Sequence, residues 1–296
     1  MQIVIAGASG FLGQAWSKAL SAHGHTVVRL VRRDPTSSDE VRWDPQAGTV
    51  DQAAIDSADV VANLAGAPLV HFPWTDSYRR EFLASRVDTT RTLAVAIARS
   101  DRKPALLAQS GIAGYGDRGT AVITEDTPVD AETFMADVVR QWEAATAPAT
   151  EAGARVVLMR TGVVLDSRGG ALHAMLLRFK AGVGGPIGSG QQYFATISLD
   201  DWIGAATYLA LNDDLSGPFN LTGPDASTNA EFTKELGRQI GRPTWLKVPA
   251  LPLRRLAGPM GGEMLASQRV EPQRLLEAGY AFAHNDVADR LAAALR

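Results

Sequence analysis

The residues best suited to chemistry near the start of the chain are three evenly spaced glycines. The run Gly7-Ala8-Ser9-Gly10-Phe11-Leu12-Gly13 follows a β-branched segment, Gln2 to Ala6, and precedes apolar residues at helical spacing. A strand that enters a helix through a tight turn aims unpaired N–H groups and the positive end of the helix dipole at the space above the turn. Gly7 permits the turn, Gly10 admits a phosphate close to the backbone, and Gly13 lets the helix pack against the strand. This pattern predicts a dinucleotide site; packing of helix on strand is the alternative role of the glycines.

Two arginines follow the second apolar strand, at the place where NAD-binding folds carry an acidic residue. Arg32 and Arg33 lie nineteen and twenty positions after Gly13. A carboxylate there accepts hydrogen bonds from the adenosine ribose but would repel a 2′-phosphate, whereas guanidinium groups pair with a phosphate through charge-assisted hydrogen bonds. The two arginines therefore favour NADP(H) over NAD(H); the alternative is a solvated basic corner after the strand.

Thiol and metal chemistry are not indicated. The chain has no cysteine, which excludes disulfide frameworks, thiolate nucleophiles and cysteine-based zinc sites. Its five histidines are scattered, and none has the spacing of a zinc-binding pattern such as His-Glu-x-x-His. We expect no bound metal.

The composition favours a small ligand over a macromolecular partner. The formal net charge is -3 and no long run of one sign appears, which disfavours nucleic acid and a membrane surface as partners. No apolar run reaches the roughly 18 residues that span a membrane, and the first six residues already form a predicted strand instead of a secretory signal. We expect a cytoplasmic protein with a small-molecule substrate, whose oligomeric state the sequence does not indicate.

Strands and helices alternate over the first half of the chain. With 46% hydrophobic residues over 296 positions, the chain can bury a large core. After the initial β-α-β unit, apolar runs predict strands at 60–64, 105–109 and 155–160 and helices at 78–98 and 133–150. Such alternation predicts an α/β fold, a doubly wound parallel (Rossmann) sheet with right-handed crossovers.

The pattern changes from about Arg168. Glycines crowd 182–190, prolines cluster at 243–259, and helical patterns appear at 229–240 and 273–276. We assign 1–167 to an NADP-binding Rossmann domain, to which later segments can return, and 168–296 to a smaller C-terminal substrate lobe. We expect the lobe to pack against the carboxyl edge of the sheet, where open α/β folds bind ligands.

The chain resembles the extended short-chain dehydrogenase/reductases over almost its whole length. Besides the glycine turn, three stretches match that family's adenosine-side strand, serine strand and second-lobe loop: Asn63 to Gly66, Ser110 to Gly116 and Phe194 to Asp201. The family's signature is Tyr-x-x-x-Lys, in which lysine lowers the pKa of tyrosine so that the phenol exchanges a proton as hydride moves. None of the five tyrosines here is followed four places on by lysine. In the family, an acidic residue usually follows the lysine by four positions. If Glu143 is that residue, Met135 stands at the position of the tyrosine and Val139 at the position of the lysine.

A more specific resemblance, to an atypical epimerase-family branch of these proteins, accounts for the missing Tyr-x-x-x-Lys motif. It rests on motifs spread along the chain: Asn63 to Leu69, Ser85 to Thr90, Trp142-Glu143, Gly184 to Gly190 and Pro272 to Tyr280. That branch ends in a domain of unknown function, expected here at 245–293. It usually keeps the serine, here Ser110, and carries arginine, here Arg86, in place of an upstream asparagine. The chain departs from the branch at Val139, where cysteine is common, and at Ser198, where histidine is common.

The resemblance implies which residues meet the cofactor. Ser110 and Arg86 are the candidate catalytic residues, both as orienting groups, because a serine hydroxyl is too weak an acid to replace tyrosine. The expected cofactor contacts are Gly7, Ser9, Gly10, Phe11, Leu12, Gly13, Arg32, Arg33, Leu64, Ala65, Gly66, Glu81, Arg86, Ser110 and Val163. Two of these have alternative roles, Arg86 in a structural ion pair and Glu81 as a solvated helix carboxylate.

Other side chains could contact a substrate. Tyr115 is the phenol nearest to Ser110 in sequence, Asp137 and Arg140 lie in the altered motif, and the loop 188–194 offers backbone donors. Packing is the alternative for Tyr115, and a flexible connection is the alternative for the loop. Asp200 is expected to cap the helix that follows it.

The sequence thus supports two functions. The first is an NADP(H)-dependent oxidoreductase or epimerase on an unidentified small substrate, for which sugar nucleotides are an analogy at the level of the fold. Water or the substrate itself would then supply the proton. The second is a regulator or scaffold that senses NADPH without turnover. The retained serine and the glycine-rich loop favour the first, and the missing tyrosine and lysine favour the second.

Overall fold

A parallel sheet whose central strand is the first segment of the chain forms the centre of the fold. The computed structural model describes residues 1–251, 253 and 258–296. The strands are β1 (Gln2–Ala6), β2 (Thr26–Val31), β3 (Glu40–Asp44), β4 (Thr49–Val50), β5 (Val60–Asn63), β6 (Ala105–Gly111), β7 (Val122–Ile123), β8 (Val156–Thr161), β9 (Val163–Leu165), β10 (Thr196–Ser198), β11 (Gly217–Leu221) and β12 (Arg269–Val270). The helices described are α1 (Phe11–Ala22), α2 (Gln52–Asp56), α3 (Asp76–Arg99), α4 (Phe134–Ala144), α5 (Ala147–Glu151), α6 (Gly170–Lys180), α7 (Leu199–Leu211), α8 (Asn229–Ile240), α9 (Pro259–Glu263), α10 (Gln273–Glu277) and α11 (Val287–Ala294), with a 3₁₀ turn at Ile112–Tyr115.

Eight strands form the main sheet, in the order β11-β8-β6-β5-β1-β2-β3-β4. All of them run parallel except the short β4, which pairs antiparallel with β3. Parallel neighbours require crossover connections, and helices make most of these crossovers on the two faces of the sheet. The prediction of an α/β, doubly wound (Rossmann) sheet is confirmed.

Apolar layers cover both faces of this sheet. Strand β1 is fully buried from Ile3 to Ala6, as its continuous apolar run predicts. On one face, Trp16 of α1 meets Trp202 of α7 edge to face, with ring centroids 6.0 Å apart. On the other face, α3 contributes Leu93 and Ile97 to a second apolar layer. The sheet is therefore a rigid base for the residues at its ends.

The single helix predicted at 133–150 is wrong, because the segment forms two helices. Helix α4 ends at Ala144, and α5 begins at Ala147 with Pro148 in its first turn. Proline lacks an N–H group and its ring clashes with the preceding turn, so α4 cannot continue through it, whereas the start of a new helix accepts it. In contrast, β1 and α8 have the predicted bounds.

The helix expected after Asp200 is α7, which begins one residue earlier, at Leu199, and this start corrects the role expected of Asp200. The cap is Ser198, whose hydroxyl accepts a hydrogen bond from the N–H of Asp201 at 3.0 Å. Asp200 lies within the first turn and is exposed. A capping side chain must precede the helical backbone, so the prediction for Asp200 is wrong. The Ser198 hydroxyl also lies 2.9 Å from Nδ1 of His284, which ties the C-terminal segment to α7.

The chain after residue 168 builds a separate apolar layer and also returns to the main sheet. Helices α6, α8 and α11 share one cluster of buried residues that includes Leu172, Phe232 and Leu291. Strand β11 pairs with β8 and completes one edge of the main sheet. The sequence analysis allowed later segments to return to the Rossmann domain, and β11 does so. The division into 1–167 and 168–296 stays a prediction.

Neither a membrane span nor a metal cluster occurs in the part of the chain that the structure describes. No helix of residues 1–251, 253 and 258–296 is long and apolar enough to cross a membrane. Within the same residues, three or more His, Asp or Glu side chains do not gather in a way that could hold a metal ion.

Candidate cofactor and active site

The carboxyl ends of four parallel strands place most of the predicted site residues on one edge of the sheet. Ala6 at the end of β1 is level with Asn63 at the end of β5, and Asn63 is level with Ala108 of β6. Strand β6 continues to Gly111, which is level with Thr161 at the end of β8. The segments that follow these strands therefore begin at the same edge: the glycine turn, 64–66, Ser110 with its successors, and Val163.

The glycine turn needs glycine at two of its positions. Gly7 has a φ of +80°, and a Cβ there would lie 2.6 Å from the backbone carbon of Leu64. A Cβ on Gly13 would lie 2.2 Å from the carbonyl oxygen of Gly7. Helix α1 thus packs directly on the turn, and the turn packs directly on the loop after β5.

The N-terminus of α1 has the features of an anion site. Gly10 is its N-cap and offers no side chain to the first N–H groups, and the first turn carries no acidic residue. Ser9 and Gly10 are exposed, and the Ser9 hydroxyl is open to a ligand, whereas the Gly10 N–H donates to the carbonyl oxygen of Gly7 at 3.0 Å. Unpaired amides with the positive end of the helix dipole bind phosphate well. These residues fit the diphosphate of a dinucleotide.

The side chains of Phe11 and Leu12 point into the protein. A Cβ built on Gly169 would lie 2.5 Å from the Phe11 ring, which therefore packs closely against the start of α6. Leu12 packs against the main core cluster. Because both side chains are occupied, these residues can meet a phosphate through their backbone N–H groups.

Arg32 and Arg33 have different surroundings. Arg33 forms a bidentate ion pair with Glu40, at 2.8 and 2.7 Å, and these bonds lower the pKa of the Glu40 carboxyl to about 2. Arg32 is exposed, and its guanidinium makes no hydrogen bond or ion pair to the described residues. Only Arg32 therefore has its full donor set available for a 2′-phosphate. The sequence did not indicate Glu40, which lies seven positions after Arg33.

The loop after β5 is fixed by a buried amide. Asn63 donates from Nδ2 to the hydroxyls of Thr89 and Thr90, at 3.1 and 2.8 Å, and accepts from the N–H of Ala65 at 3.1 Å. Trp142 donates to the same Thr90 hydroxyl. Asn63 thereby anchors the Leu64-Ala65-Gly66 loop to α3 and α4.

Arg86 is a buried cation without a carboxylate partner among the described residues. Its guanidinium donates to the carbonyl oxygens of Phe82 and Ala67, at 3.0 and 3.1 Å, and lies 3.5 Å over the centre of the Phe82 ring. Burial lowers the pKa of Arg86 to about 10. A Cβ on Gly66 would be 3.2 Å from this guanidinium, so the glycine leaves room for it at the sheet edge.

Ser110 belongs to a buried polar network. Its hydroxyl donates a hydrogen bond to the Glu143 carboxylate at 2.7 Å. Glu143 also forms a bidentate ion pair with Arg160, with both contacts at 2.8 Å. Arg160 also donates to the phenol oxygen of Tyr115, which donates in turn to Asn220. Burial raises the pKa of the Tyr115 phenol. Sequence reasoning missed Arg160 and Asn220, because neither belongs to a recognised motif.

Met135 and Val139, which stand at the tyrosine and lysine positions of the absent Tyr-x-x-x-Lys motif if Glu143 is matched to the family's acidic residue, carry no group that can exchange a proton. Met135 and Val139 are buried, and Val139 packs so closely on Gly114 that a Cβ there would lie 2.9 Å away. Gly111 faces open space, with no atom within 4 Å of its hypothetical Cβ. At the end of β6, the position that faces open space is therefore a glycine, which has no functional group. The Ser110 hydroxyl is directed at Glu143.

Four other candidates lie apart from this edge network. Glu81 is exposed on α3. Asp137 and Arg140 pair with each other on the exposed side of α4, at 3.5 Å. In the loop 188–194, Gln192 is buried and donates to the carbonyl oxygen of Ile187, which gives that loop an internal support.

Family patterns match the two parts of the chain in order. The pattern described as "NAD dependent epimerase/dehydratase family" covers residues 3–221. A second pattern, described as a domain of unknown function, covers 248–294, close to the expected 245–293. Epimerase family protein Mb2239 of Mycobacterium bovis is 40% identical over 290 residues, which are 98% of this chain and 96% of that protein.

Solved structures share the fold over the full chain. The crystal structure of the human epimerase family protein SDR39U1 (isoform 2) with NADPH aligns over 99% of both chains, with a TM-score of 0.91 and 32% identity. The nucleoside-diphosphate sugar epimerase of Corynebacterium glutamicum aligns over 100% of this chain and 58% of that one, with a TM-score of 0.83 and 33% identity. The resemblance found in the sequence is confirmed: the chain belongs to the NAD dependent epimerase/dehydratase family, in the branch of the epimerase family proteins.

Proposed function

We propose that the chain binds NADP(H) and acts as an oxidoreductase or epimerase on a small substrate with a carbonyl or hydroxyl group. The observation that carries the cofactor is the open N-terminus of α1 beside Arg32, whose guanidinium is unengaged among the described residues. The human relative with 32% identity was crystallised with NADPH, which supports the same choice. When bound, the cofactor supplies or accepts a hydride at C4 of its nicotinamide.

The residues of the sheet edge have distinct tasks in this proposal. Arg86, buried and without a carboxylate partner among the described residues, offers positive charge and free N–H donors to a phosphate, a ribose hydroxyl or an anionic substrate group. Ser110 acts as a positioning residue, because its hydroxyl holds Glu143 and, through it, Arg160. A sugar nucleotide is one candidate substrate, since the relative from Corynebacterium glutamicum is described as a sugar epimerase. A cytoplasmic location stays a prediction.

Replacing Arg32 by alanine is expected to weaken NADPH binding about 10- to 100-fold while NADH binding stays near its original value. Loss of charge-assisted hydrogen bonds to the 2′-phosphate costs about 1.5–3 kcal/mol, and each 1.4 kcal/mol is tenfold in affinity. Arg33→Ala is the matched comparison, and we expect the smaller effect on NADPH because Glu40 already engages Arg33. Fluorescence titration with both cofactors measures the preference, and equal affinities for NADPH and NADH in the wild-type chain would contradict the assignment.

Turnover is tested by following NADPH absorbance with a panel of aldehydes, ketones and UDP-sugars. We expect consumption by the wild-type chain and a loss of roughly 10²-fold or more in Arg86→Ala, because a buried charged donor near the reacting centre is removed. Arg91→Ala, on the exposed face of the same helix, is the control and should retain full activity. Equal rates for the two variants would show that Arg86 does not contribute to the reaction.

One observation favours the second function, a sensor of NADPH without turnover. Met135 and Val139 leave the usual positions of the proton-transferring pair without an ionisable group. Tight NADPH binding together with no consumption of NADPH by any member of the panel would support this function over the enzyme.

A further inference from the structure

An open cavity of about 350 Å³ lies between α3, α4 and α9. Met135, in the slot of the absent tyrosine, lines it together with Gly116 and Leu265, and Glu263 at the end of α9 lines it as well. Its volume is at the lower end of the roughly 300–1,000 Å³ typical of ligand pockets. The cavity thus brings a carboxyl group from the C-terminal segment to the place where the proton-transferring phenol is missing.

The surroundings of Glu263 are mainly apolar. Its carboxyl accepts a hydrogen bond from the hydroxyl of Thr133 at 3.4 Å, and Phe134, Met135 and Leu265 share the cavity wall. Burial raises the pKa of the Glu263 carboxyl to about 7, opposed in part by the hydrogen bond from Thr133. A carboxyl in this state can be a proton donor as well as a proton acceptor near neutral pH.

Other charged groups lie on the elements that surround the cavity. Arg79 of α3 and Asp117 also line the cavity. Arg79 is 4.0 Å from Asp76, and its Nε is buried without a hydrogen bond to the described residues. On α4, which packs against α9, Asp137 pairs with Arg140.

Two other ionisable side chains of this region already form hydrogen bonds within the protein. Glu143 of α4 is held by Arg160 and Ser110. The Tyr115 phenol is enclosed by Arg160 and Asn220. Asp117, the other carboxyl group that lines the cavity, is exposed and accepts a hydrogen bond from the N–H of Gly119. Glu263 is therefore the more enclosed of the two carboxyl groups in the cavity.

We propose that Glu263 is the proton donor and acceptor of the reaction and that the cavity beside it holds a small carbonyl or secondary-alcohol substrate. This inference rests on the proposed function. In reduction, the carbonyl carbon gains the hydride of NADPH, the electron pair of the C=O π bond moves to the oxygen, and that oxygen takes the proton of the Glu263 carboxyl. The products are the alcohol, NADP+ and a Glu263 carboxylate, which regains a proton from water at the open mouth of the cavity. The oxidation runs through the same steps in reverse.

The protonation state of Glu263 is measured without cofactor or substrate. The chain is labelled with ¹³C at the glutamate carboxyls and titrated by NMR, and the resonance is assigned by its loss in Glu263→Gln. We expect a midpoint of about 7. A midpoint at the ordinary glutamate value of about 4.3 overturns the inference.

Activity supplies the second measurement, with the substrate panel used to detect NADPH consumption. Reduction requires the protonated carboxyl, so the rate should fall as pH rises through about 7; oxidation requires the carboxylate, so its rate should fall as pH drops through the same value. In Glu263→Gln we expect kcat to fall about 10²- to 10⁴-fold and the pH dependence to disappear, with NADPH affinity unchanged. Glu263→Asp should keep part of the rate and the pH dependence. Glu132→Gln, an exposed neighbour of Thr133, is the control.

The two possible failures are distinguishable. A wild-type chain that consumes NADPH, with a Glu263→Gln variant of equal rate and equal pH profile, overturns the role of Glu263 and leaves the proposed function intact. A wild-type chain that binds NADPH but consumes none with any member of the panel overturns the proposed reaction, and the role of Glu263 with it, whatever the NMR midpoint.

Discussion

Replacing Gly13 by alanine is expected to weaken NADPH binding by about a hundredfold or more. The new Cβ would lie 2.2 Å from the carbonyl oxygen of Gly7 and 2.7 Å from Cα of Ala8, where ordinary contacts begin at 3.4 Å. Helix α1 and the turn must therefore separate by about 1 Å, which breaks hydrogen bonds of 2.7–3.2 Å length to a phosphate. Losing two charge-assisted bonds of about 1.5–3 kcal/mol each gives this loss of affinity.

The same substitution also lowers stability, so a matched control is needed. Overpacking of this kind costs about 1–3 kcal/mol of unfolding free energy. Gly24→Ala provides the comparison: Gly24 has a φ of +80° with no atom within 4 Å of an added Cβ, so alanine there costs about 1–2 kcal/mol through its backbone alone. We expect both variants to be destabilised in urea and only Gly13→Ala to lose NADPH in fluorescence titration. Affinity for NADPH within threefold of the wild-type value in Gly13→Ala would contradict the placement of the diphosphate.

Replacing Glu143 by glutamine is expected to lower the free energy of unfolding by about 3–5 kcal/mol, because it leaves a buried guanidinium without its counter-charge. The side chains of Arg160 and Glu143 are only 8% and 13% exposed, and the ion pair is bidentate. The Arg160 guanidinium would keep its hydrogen bond to Tyr115, which does not neutralise its charge. Ser110 would lose its charged acceptor at the same time.

A surface ion pair gives the matched control for Glu143. Asp34 pairs with Arg42 at 2.7 Å, and their side chains are 87% and 64% exposed. Asp34→Asn should cost less than about 1 kcal/mol, because water screens and replaces such a contact. Urea unfolding at neutral pH measures both variants. Equal costs would show that the Glu143–Arg160 pair is solvated in solution.

The predictions from sequence were accurate where the signal was local and contiguous. The buried run of β1 and the capped pattern of α8 define their own bounds, because period and end signals lie within the segment. Strands β3, β4 and β11 were missed: β4 has only two residues, and β3 and β11 contain charged residues, proline or asparagine in place of a continuous apolar run.

Roles were harder to predict than positions. Arg32 and Arg33 are adjacent and chemically identical, yet Glu40 engages only one of them. Ser110 was expected at the cofactor, and its hydroxyl is directed at Glu143 instead. Whether it also meets the cofactor stays a prediction. A side chain's direction depends on which partners the fold brings to it, and the residue type alone does not specify them.

The sequence by itself determined that a strand, a glycine turn and a helix build an anion site, that arginines follow the second strand, and that the Tyr-x-x-x-Lys pair is absent. These features depend on residues close together in the chain, where backbone geometry follows from residue type. Only the tertiary structure joined Tyr115 to Asn220 and brought Glu263 to the cavity beside Met135. Such pairs are more than 100 residues apart, and their contact results from the packing of the whole sheet and its helices, which no local pattern encodes. The glycine turn is therefore the basis for predicting where the cofactor binds, and the packing around Met135 is the basis for proposing that Glu263 exchanges the proton.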